Sequence, residues 1–197
     1  AIFSFSLAPM RITIILGLLY LVLALAEILY VVSYFVTNKA DLLTPGWQAL
    51  RRFPPDLRDQ IAAAVAASES RHRGELRVAI EGPLPLGDLL RDLSPRARAI
   101  RLFAKLGVWD TAENSGILIY LQLVDHRVEI LADRGIAAKV PQAAWDALCH
   151  DLEVAMRAGQ CRAGVLAAIE GATRLLAEHF PAAHDNPNEL PNKPVLL

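Results

Sequence analysis

Four side chains with oxygen atoms that could bind a cation lie near the ends of two predicted strands. Asp110, Glu113 and Asn114 precede a run rich in branched and aromatic residues, which is typical of a β-strand. Asp133 follows a second run, in which polar and apolar residues alternate. A short connection between the runs predicts an antiparallel hairpin, with the start of one strand beside the end of the other. The sequence therefore predicts a carboxylate-rich corner, whose oxygen ligands suit Ca²⁺ or Mg²⁺.

The same residues also fit a purely structural role. Asp110 and Thr111 could cap a turn before the first strand, and the segment 133–135 could form a turn after the second. Arg134 would then pair with Asp110 across the corner and neutralise it, so that no position would remain for a cation. The residues alone leave both interpretations open.

Several predicted elements must position this corner. The hairpin covers residues 115–123 and 127–132, and an earlier strand covers residues 75–80. A right-handed crossover makes the earlier strand parallel to the first hairpin strand, which brings Glu75 to the same end as Asp110 and Asp133. Helices are predicted at 56–71, 96–106, 141–158 and 162–180, with Ile100 facing inward, followed by an extended tail. This order predicts an α/β fold, in which helices cover a small mixed β-sheet.

The N-terminal segment is far more apolar than the rest of the chain. Residues 12–36 contain one charged residue, Glu27, and as a helix they would extend roughly 37 Å at about 1.5 Å per residue. That length suits a tilted membrane helix, and the run lacks the short apolar core and cleavage site of a signal peptide. So long an apolar run also disfavours a buried helix of a soluble protein. We therefore expect a transmembrane helix and linker in residues 1–43, and a globular domain in residues 44–197.

Glu27 is the unusual residue of the predicted span. A lone carboxylate in hydrocarbon is costly, so Glu27 is expected to be neutral or paired inside a protein assembly. It could contact a partner helix or a bound cofactor, or it could simply extend toward the membrane interface. Tyr30 and Tyr34 suit that interface near the C-terminal end of the span. Glu27, Tyr30 and Tyr34 are thus candidate contacts with the membrane or with a partner.

Charge and cysteine content restrict location and function. Arg11 precedes the predicted span, whereas Lys39, Arg51 and Arg52 follow it. This excess favours a cytoplasmic globular domain on a single-pass protein of the inner membrane, either cytoplasmic or intracytoplasmic. The formal net charge of −1 gives no reason to expect nucleic acid as a partner. The two cysteines lack the spacing of a metal site, and no other catalytic set is apparent, so catalytic residues stay unassigned.

Several motifs resemble one known family, the TPM domain family, and most closely a compact bacterial branch of it. The motifs are Trp-Asp-Thr at 109–111, Asn-x-Gly followed by an apolar strand from 114, Val-Glu-Ile-Leu-Ala-Asp-Arg-Gly at 128–135, Arg-Arg-Phe-Pro-Pro at 51–55, His-Arg-Gly-Glu-Leu-Arg at 72–77 and Asn-Glu-Leu-Pro at 188–191. The resemblance covers about residues 47–197. Other members include plant thylakoid-lumen proteins linked to photosystem II repair and described as acid phosphatases.

The resemblance implies a TPM-like α/β sandwich and a possible role for the acidic corner. Asp110, Glu113 and Asp133 would be the metal ligands, for Ca²⁺ or Mg²⁺, with Asn114 as an auxiliary ligand. A phosphatase would need such a metal to bind and polarise phosphate. Secreted members carry a further acidic motif in the N-terminal segment, which is here occupied by the predicted membrane helix and linker.

Two functions are therefore expected from the sequence. The favoured one is a membrane-anchored accessory or scaffold subunit, whose helix lies in the lipid bilayer and binds an integral membrane protein complex. A photosynthetic or respiratory complex is the expected host. The alternative is a membrane-tethered, metal-dependent phosphatase that uses the acidic corner. Fold and family alone do not decide between them.

Overall fold

The structure is a computed structural model that describes residues 8–38, 53–85, 88, 93–182 and 186–197. By its internal contacts the chain divides into two units, Ala1–Thr44 and Pro45–Leu197. The first unit contains one long apolar helix, and the second contains a sheet with helices on both of its faces. Each unit is described by itself below.

In the described part of the N-terminal unit, residues 8–38, the chain forms helix α1 (Ala8–Asn38). Its central residues, Ile14–Ser33, are all exposed to solvent within this chain, and they are long and apolar enough as a helix to cross a membrane. The predicted helix at 12–36 is therefore present. Because its apolar residues surround the whole helix rather than form one stripe, α1 suits an apolar environment on every side.

The second unit is organised around a four-stranded sheet with the strand order β3-β2-β1-β4. The strands are β1 (Glu75–Glu81), β2 (Gly116–Gln122), β3 (Arg127–Ala132) and β4 (Val195–Leu196). β1 pairs with β2 in parallel, and β2 pairs with β3 as an antiparallel hairpin. The predicted parallel pairing of β1 with β2 and the predicted hairpin are both confirmed. The short strand β4 was not predicted; it pairs in parallel with the outer edge of β1.

Helices bury both faces of the sheet, which makes the fold a mixed α/β sandwich. They are α2 (Pro55–Glu69), α3 (Pro95–Lys105), α4 (Arg134–Ala137), α5 (Gln142–Arg157) and α6 (Cys161–His179). Alternate residues of β1 point to opposite faces. Val78 belongs to the larger core cluster under α2, α5 and α6. Ala79 belongs to the smaller cluster under α3.

Helix α3 begins as the sequence predicts, but one inward residue was assigned wrongly. The side chain of Ser94 accepts a hydrogen bond from the Ala97 backbone N–H and so caps the helix. Ile100, expected to face the core, is 55% exposed, whereas Ala99 and Leu102 are fully buried. Phe103 and Leu106 pack against the same smaller core cluster as Ala99 and Leu102, so Ile100 lies just beside the buried face of α3.

Candidate functional site

The predicted corner forms where β1 and β2 begin and β3 ends. The Glu75 backbone N–H donates to the Ser115 carbonyl oxygen at 3.0 Å, which ties the start of β1 to the segment before β2. The Asp133 N–H donates to the Gly116 carbonyl oxygen at 2.9 Å, which ties the end of β3 to the start of β2. The expectation that Glu75 shares this end of the sheet with the hairpin residues is confirmed.

Backbone segments approach each other very closely at this corner. Gly135 donates its N–H to the Asn114 carbonyl oxygen at 3.0 Å, and a Cβ atom at Gly135 would lie 2.6 Å from the Glu113 carbonyl oxygen. A Cβ atom at Gly116 would lie only 1.8 Å from the Val108 carbonyl oxygen. Residues without a side chain are thus required at both positions for the turn to pack against the strand ends.

Asp133 has a structural role and one unused oxygen. Its Oδ1 accepts a hydrogen bond from the Arg134 backbone N–H at 2.6 Å, so Asp133 caps the short helix α4. The residue is only 7% exposed. Its Oδ2 is buried and has no hydrogen-bond partner within the described residues. A buried carboxylate oxygen without a partner is uncommon and is the one feature here that favours a ligand.

Glu113 is engaged by a cation that sequence reasoning did not identify. Its Oε1 accepts a hydrogen bond from Arg73 Nη1 at 2.6 Å, and both side chains are partly exposed. Arg73 Nε also donates to the Pro181 carbonyl oxygen at 3.3 Å. Among the ion pairs of the described residues, the cation in this corner is therefore Arg73 and not Arg134. Arg73 belongs to the motif at 72–77. The spacing of that motif gave no sign that Arg73 would pair with Glu113.

Thr111, rather than Asp110, closes the turn before β2. Thr111 Oγ1 accepts a hydrogen bond from the Ser115 N–H at 2.9 Å, and Asn114 takes a left-handed backbone conformation with φ of 52°. Asp110 is exposed at the surface. The turn is thus stabilised by a buried hydroxyl and by an asparagine, the residue type that best tolerates this conformation after glycine.

The carboxylates do not form a preassembled metal centre in this arrangement. The described part of the chain contains no group of three or more His, Cys, Asp or Glu side chains placed to hold a metal ion. Asp110 is exposed, Glu113 is paired with Arg73, and Asp133 caps a helix. Metal binding by Asp110, Glu113 and Asp133, with Asn114 as auxiliary ligand, therefore stays a prediction. We derive no reaction step through a metal.

Two glutamates beside the corner are buried, Glu75, whose position was predicted, and Glu69, which was not anticipated. Glu75 is 2% exposed, and its Oε2 accepts a hydrogen bond from the Leu190 N–H at 3.1 Å. Glu69 is 6% exposed, and its Oε1 accepts from the Leu76 N–H at 3.2 Å. Burial, and then the charge of Glu75, raises the pKa of Glu69 to about 7. Burial likewise raises the pKa of Glu75. Near the corner, Glu69 and Glu75 are therefore two buried carboxyls whose pKa is raised.

A cavity of about 150 Å³ adjoins Glu75. The residues around it are Arg73, Glu75, Ala112, Glu113, Ser115, Asn186, Pro187 and Glu189. Acidic side chains outnumber basic ones in this lining. The cavity therefore favours a small cationic or hydrogen-bond-donating ligand over an anion, since like charges repel.

His72 belongs to a fully buried polar chain behind the corner. Its Nδ1 accepts from the Gly74 N–H at 3.2 Å, so Nε2 carries the proton and donates to Ser68 Oγ at 2.7 Å. Ser68 in turn contacts Thr173 Oγ1 at 2.6 Å, and Thr173 donates to the Ile169 carbonyl oxygen at 2.7 Å. Burial lowers the pKa of His72 to about 4, so the ring is neutral. This series of hydrogen bonds joins α2 to α6 and lies away from solvent, so its role is structural.

A second buried charged cluster lies at the opposite end of β1. Glu81 is 1% exposed, and its carboxylate accepts from the Tyr120 hydroxyl at 2.6 Å and from two nitrogens of Arg98 at 2.5 and 3.1 Å. Arg98 and Arg101 also bind the two carboxylate oxygens of Asp88 at 2.9 and 2.8 Å. The basic side chains of α3 are thus largely engaged in holding this helix to the sheet.

The candidate contacts of α1 lie on an exposed helix. Glu27 and Tyr30 are exposed within this chain; Tyr34 lies within α1, and its side chain is outside the described part. At 3.6 residues per turn, Gly17, Ala24 and Glu27 share one face within about 80°. A Cβ atom at Gly17 would meet nothing within 4 Å. This face therefore combines small residues with the one charged side chain of Ile14–Ser33.

Comparisons with known proteins agree with this architecture. A family model described as the TPM domain matches residues 36–175. The NMR structure of the BA42 protein from the psychrophilic bacterium Bizionia argentinensis is 27% identical, with a TM-score of 0.65, over 73% of this chain and 94% of that chain. The N-terminal domain of a P. gingivalis protein is 20% identical, with a TM-score of 0.51, over 67% and 82% of the two chains. No curated protein matches the sequence significantly.

Proposed function

We propose that this chain, which belongs to the TPM domain family, is a membrane-anchored accessory or scaffold subunit. In this proposal α1 crosses the inner membrane and binds a larger membrane-protein complex, and the TPM domain stabilises that complex outside the bilayer. The observation that carries the proposal is Glu27, a carboxylate inside an otherwise uncharged helix whose side chains are all exposed over Ile14–Ser33.

The environment of α1 in a membrane explains why a partner is needed. Lipid chains offer no hydrogen-bond donors, so an ionisable residue within a span faces a protein or a water-filled cavity. Gly17 and Ala24 lie on the same face as Glu27, and small residues let a second helix approach closely. A second copy of this chain would place one Glu27 against another. We therefore expect a different helix, with a cationic or amide side chain at the same depth.

The acidic corner gives little support to a catalytic role for the domain. Glu113 is paired with Arg73 and Asp133 caps α4, so both carboxylates already serve the fold. By analogy with the plant members of the family, the proposal takes a photosynthetic or respiratory complex as the host. The excess of basic residues after α1 supports a cytoplasmic position for the TPM domain.

Copurification tests the proposal directly. The tagged full-length protein would be extracted in a mild detergent, and the stoichiometry of bound membrane proteins would be measured for four chains. The wild type and Val22→Leu, a control on the opposite face of α1, are expected to retain the partner. Gly17→Leu and Glu27→Ala are expected to lose at least about tenfold of it, because they block close helix contact and remove the hydrogen-bonding group. Extraction of the wild type as an isolated monomer would contradict the proposal.

One observation favours a second candidate, a membrane-tethered phosphatase. The buried Oδ2 atom of Asp133 has no partner within the described residues and could complete a cation site if Glu113 released Arg73. Hydrolysis of a phosphomonoester would be measured with Ca²⁺, with Mg²⁺ and with a chelator. Metal-dependent turnover that Asp133→Asn abolishes, and that Asp146→Asn on the exposed face of α5 preserves, would support this alternative.

A further inference from the structure

The last twelve residues, Asn186–Leu197, form a strap along the outer edge of β1. This C-terminal strap contains only the two residues of β4 in regular secondary structure. Arg77 Nη1 donates to the carbonyl oxygens of Pro191 and Lys193, the latter at 2.9 Å. The Leu197 N–H donates to the Ile80 carbonyl oxygen at 3.0 Å. The far end of the strap, residues 191–197, is thus attached to β1 by main-chain hydrogen bonds and by the Arg77 guanidinium.

The near end of the C-terminal strap, residues 186–190, is attached through carboxylates and through Asn186, whose Nδ2 donates to the carbonyl oxygens of Glu69 at 2.8 Å and of His72 at 3.0 Å. The Leu190 N–H donates to Glu75 Oε2 at 3.1 Å, and Glu189 Oε2 accepts from the Ala112 N–H at 2.9 Å. Asn192 donates to the side chain of Glu69. The part of the strap over the corner is therefore held by a buried acid, whose charge state can change, together with the uncharged contacts of Asn186.

This near end also forms one wall of the cavity beside the corner. Asn186, Pro187 and Glu189 face Arg73, Glu75 and Ser115 across it. Displacement of the near end would remove this wall and widen the access of solvent to the cavity. It would also expose the outer backbone edge of β1, which is paired only with β4 at Ala79 and Ile80 within the described residues.

The charged groups around Glu69 and Glu75 do not neutralise the pair. They are Arg71 and His72 after α2, Arg77 of β1, Glu189 and Lys193 of the strap, and Glu113 with Arg73 at the corner. Arg71 is paired with Glu170, Arg73 with Glu113, and Arg77 donates to strap carbonyl oxygens. Within the described ion pairs, no cation is bound to Glu69 or Glu75. The two buried carboxyls therefore repel each other when both are ionised.

We propose that the C-terminal strap is a pH-operated cover, closed while the Glu69–Glu75 pair holds a proton and open over the cavity when both carboxyls are ionised. One shared proton removes the repulsion and leaves acceptor oxygens for the Leu76 and Leu190 N–H groups. Loss of that proton leaves two buried charges, and displacement of the near end of the strap lets water reach them. The cover is independent of the role proposed for α1.

The direction of the effect follows from Glu69. Burial and the charge of Glu75 raise its pKa from an ordinary value near 4.5 to about 7. The closed state therefore binds a proton more tightly than the open state does. Closure is fully favoured below about pH 4.5 and is lost as the pH rises through about 7. The cover is thus expected to open across the neutral range.

Hydrogen exchange of the full-length protein in lipid nanodiscs tests the cover. Protection of peptides from residues 186–194 would be compared at pH 5.5 and pH 8.0, after correction for the intrinsic exchange rate. The wild type is expected to lose at least about tenfold of this protection at the higher pH, since one pKa unit corresponds to a factor of ten. Peptides from β2 serve as the internal reference for the folded core.

Two variants separate the proposed cause from general fraying. Glu69→Gln keeps an acceptor for the Leu76 N–H but cannot ionise, so its strap protection is expected to be the same at both pH values. Glu170→Gln, an exposed partner of Arg71, is expected to behave like the wild type. Glu75→Gln provides the same test if Glu69→Gln does not fold. Equal protection of the wild-type strap at both pH values, or wild-type pH dependence in the glutamine variant, would overturn the proposal.

Discussion

At the scale of single residues, the cluster around Glu81 sets the largest expected cost of a substitution. Arg98→Met would leave Glu81 buried without its cation, and breaking a buried ion pair in this way costs about 3–5 kcal/mol. Tyr120→Phe removes one of three hydrogen bonds to the same carboxylate and should cost about 1 kcal/mol. Chemical denaturation of the full-length protein in detergent would measure both free energies of unfolding.

Arg96→Met is the matched control for this cluster. Arg96 belongs to the same helix and pairs with Glu129, but its side chain is 44% exposed. Exposed pairs contribute about 0–1 kcal/mol. If Arg96→Met were as destabilising as Arg98→Met, burial would not be the reason for the importance of Arg98.

A second prediction at this scale concerns the pH dependence of stability. The pKa of His72 is lowered from an ordinary 6.5 to about 4, so its contribution is complete above pH 6.5 and is lost as the pH falls toward 4. Glu69 acts with the opposite sign, because its raised pKa favours folding below pH 4.5. The two effects overlap between about pH 4.5 and 6.5 and partly cancel.

The two contributions can be separated by substitution. Between pH 6.5 and 4.5, the melting temperature of the wild type is expected to change little. Glu69→Gln should lose thermal stability on acidification, because the opposing contribution of Glu69 is gone and His72 still resists protonation. His150→Gln, on the exposed face of α5, should follow the wild type. Parallel melting curves for Glu69→Gln and the wild type would refute the assignment.

The corner shows which residue contacts a sequence can reveal. Strand order and the antiparallel hairpin were sufficient to place Asp110, Glu113 and Asp133 at one end of the sheet. The partner of Glu113 was not predictable, because Arg73 lies 40 residues away and reaches it through tertiary packing. Glu69 was missed because a glutamate near a helix end is normally solvated, and its burial depends on where the strap lies.

At the scale of elements, two glycines determine whether the strands can meet the turn. Gly116→Ala would place a Cβ atom 1.8 Å from the Val108 carbonyl oxygen, and Gly135→Ala would place one 2.6 Å from the Glu113 carbonyl oxygen. Backbone cannot move aside as easily as a side chain. Each variant is therefore expected to lose about 2–3 kcal/mol or more, near the upper end of overpacking costs, as measured by denaturation.

Gly159→Ala is the control for this prediction. Gly159 has φ of +74°, but a Cβ atom there would meet nothing within 4 Å. The cost should be limited to backbone strain, at about 1 kcal/mol. If Gly116→Ala and Gly135→Ala were no more destabilising than Gly159→Ala, close backbone approach would not be the reason for glycine at positions 116 and 135.

Elements with a clear hydrophobic period were the predictable part of the fold. β3 was predicted with the observed bounds, the predicted β1 is one residue short at its C-terminal end, and the predicted β2 is one residue too long at each end. β4 was missed because two residues are too few to show an alternating pattern. Ile100 was assigned inward because α3 carries few large apolar residues. The buried face of α3 is set by Ala99 and Leu102, which pack against the sheet. With so few apolar residues in α3, a single one such as Ile100 changes the face that the pattern predicts to be buried.

At the scale of the whole molecule, the two units have different relations to their surroundings. The TPM domain buries its apolar residues in two clusters, one on each face of the sheet. α1 exposes its apolar residues on every side over Ile14–Ser33. Because exposed apolar surface of this extent is unfavourable in water, α1 needs either lipid or a protein partner. In the proposed function the helix would determine location and the domain would act outside the bilayer.

The orientation of that helix is the last prediction, and it follows from charge. Lys39, Arg51 and Arg52 follow α1 and outnumber Arg11 before it, so the positive-inside rule places the TPM domain in the cytoplasm. A C-terminal fluorescent protein should therefore be active and a C-terminal alkaline phosphatase inactive. Replacing the three basic residues with glutamine should increase the fraction with the opposite orientation. In isolated membranes the protein should resist carbonate extraction. After purification its intact mass should still include residues 8–38, since an anchoring helix stays in the chain whereas a signal sequence is removed.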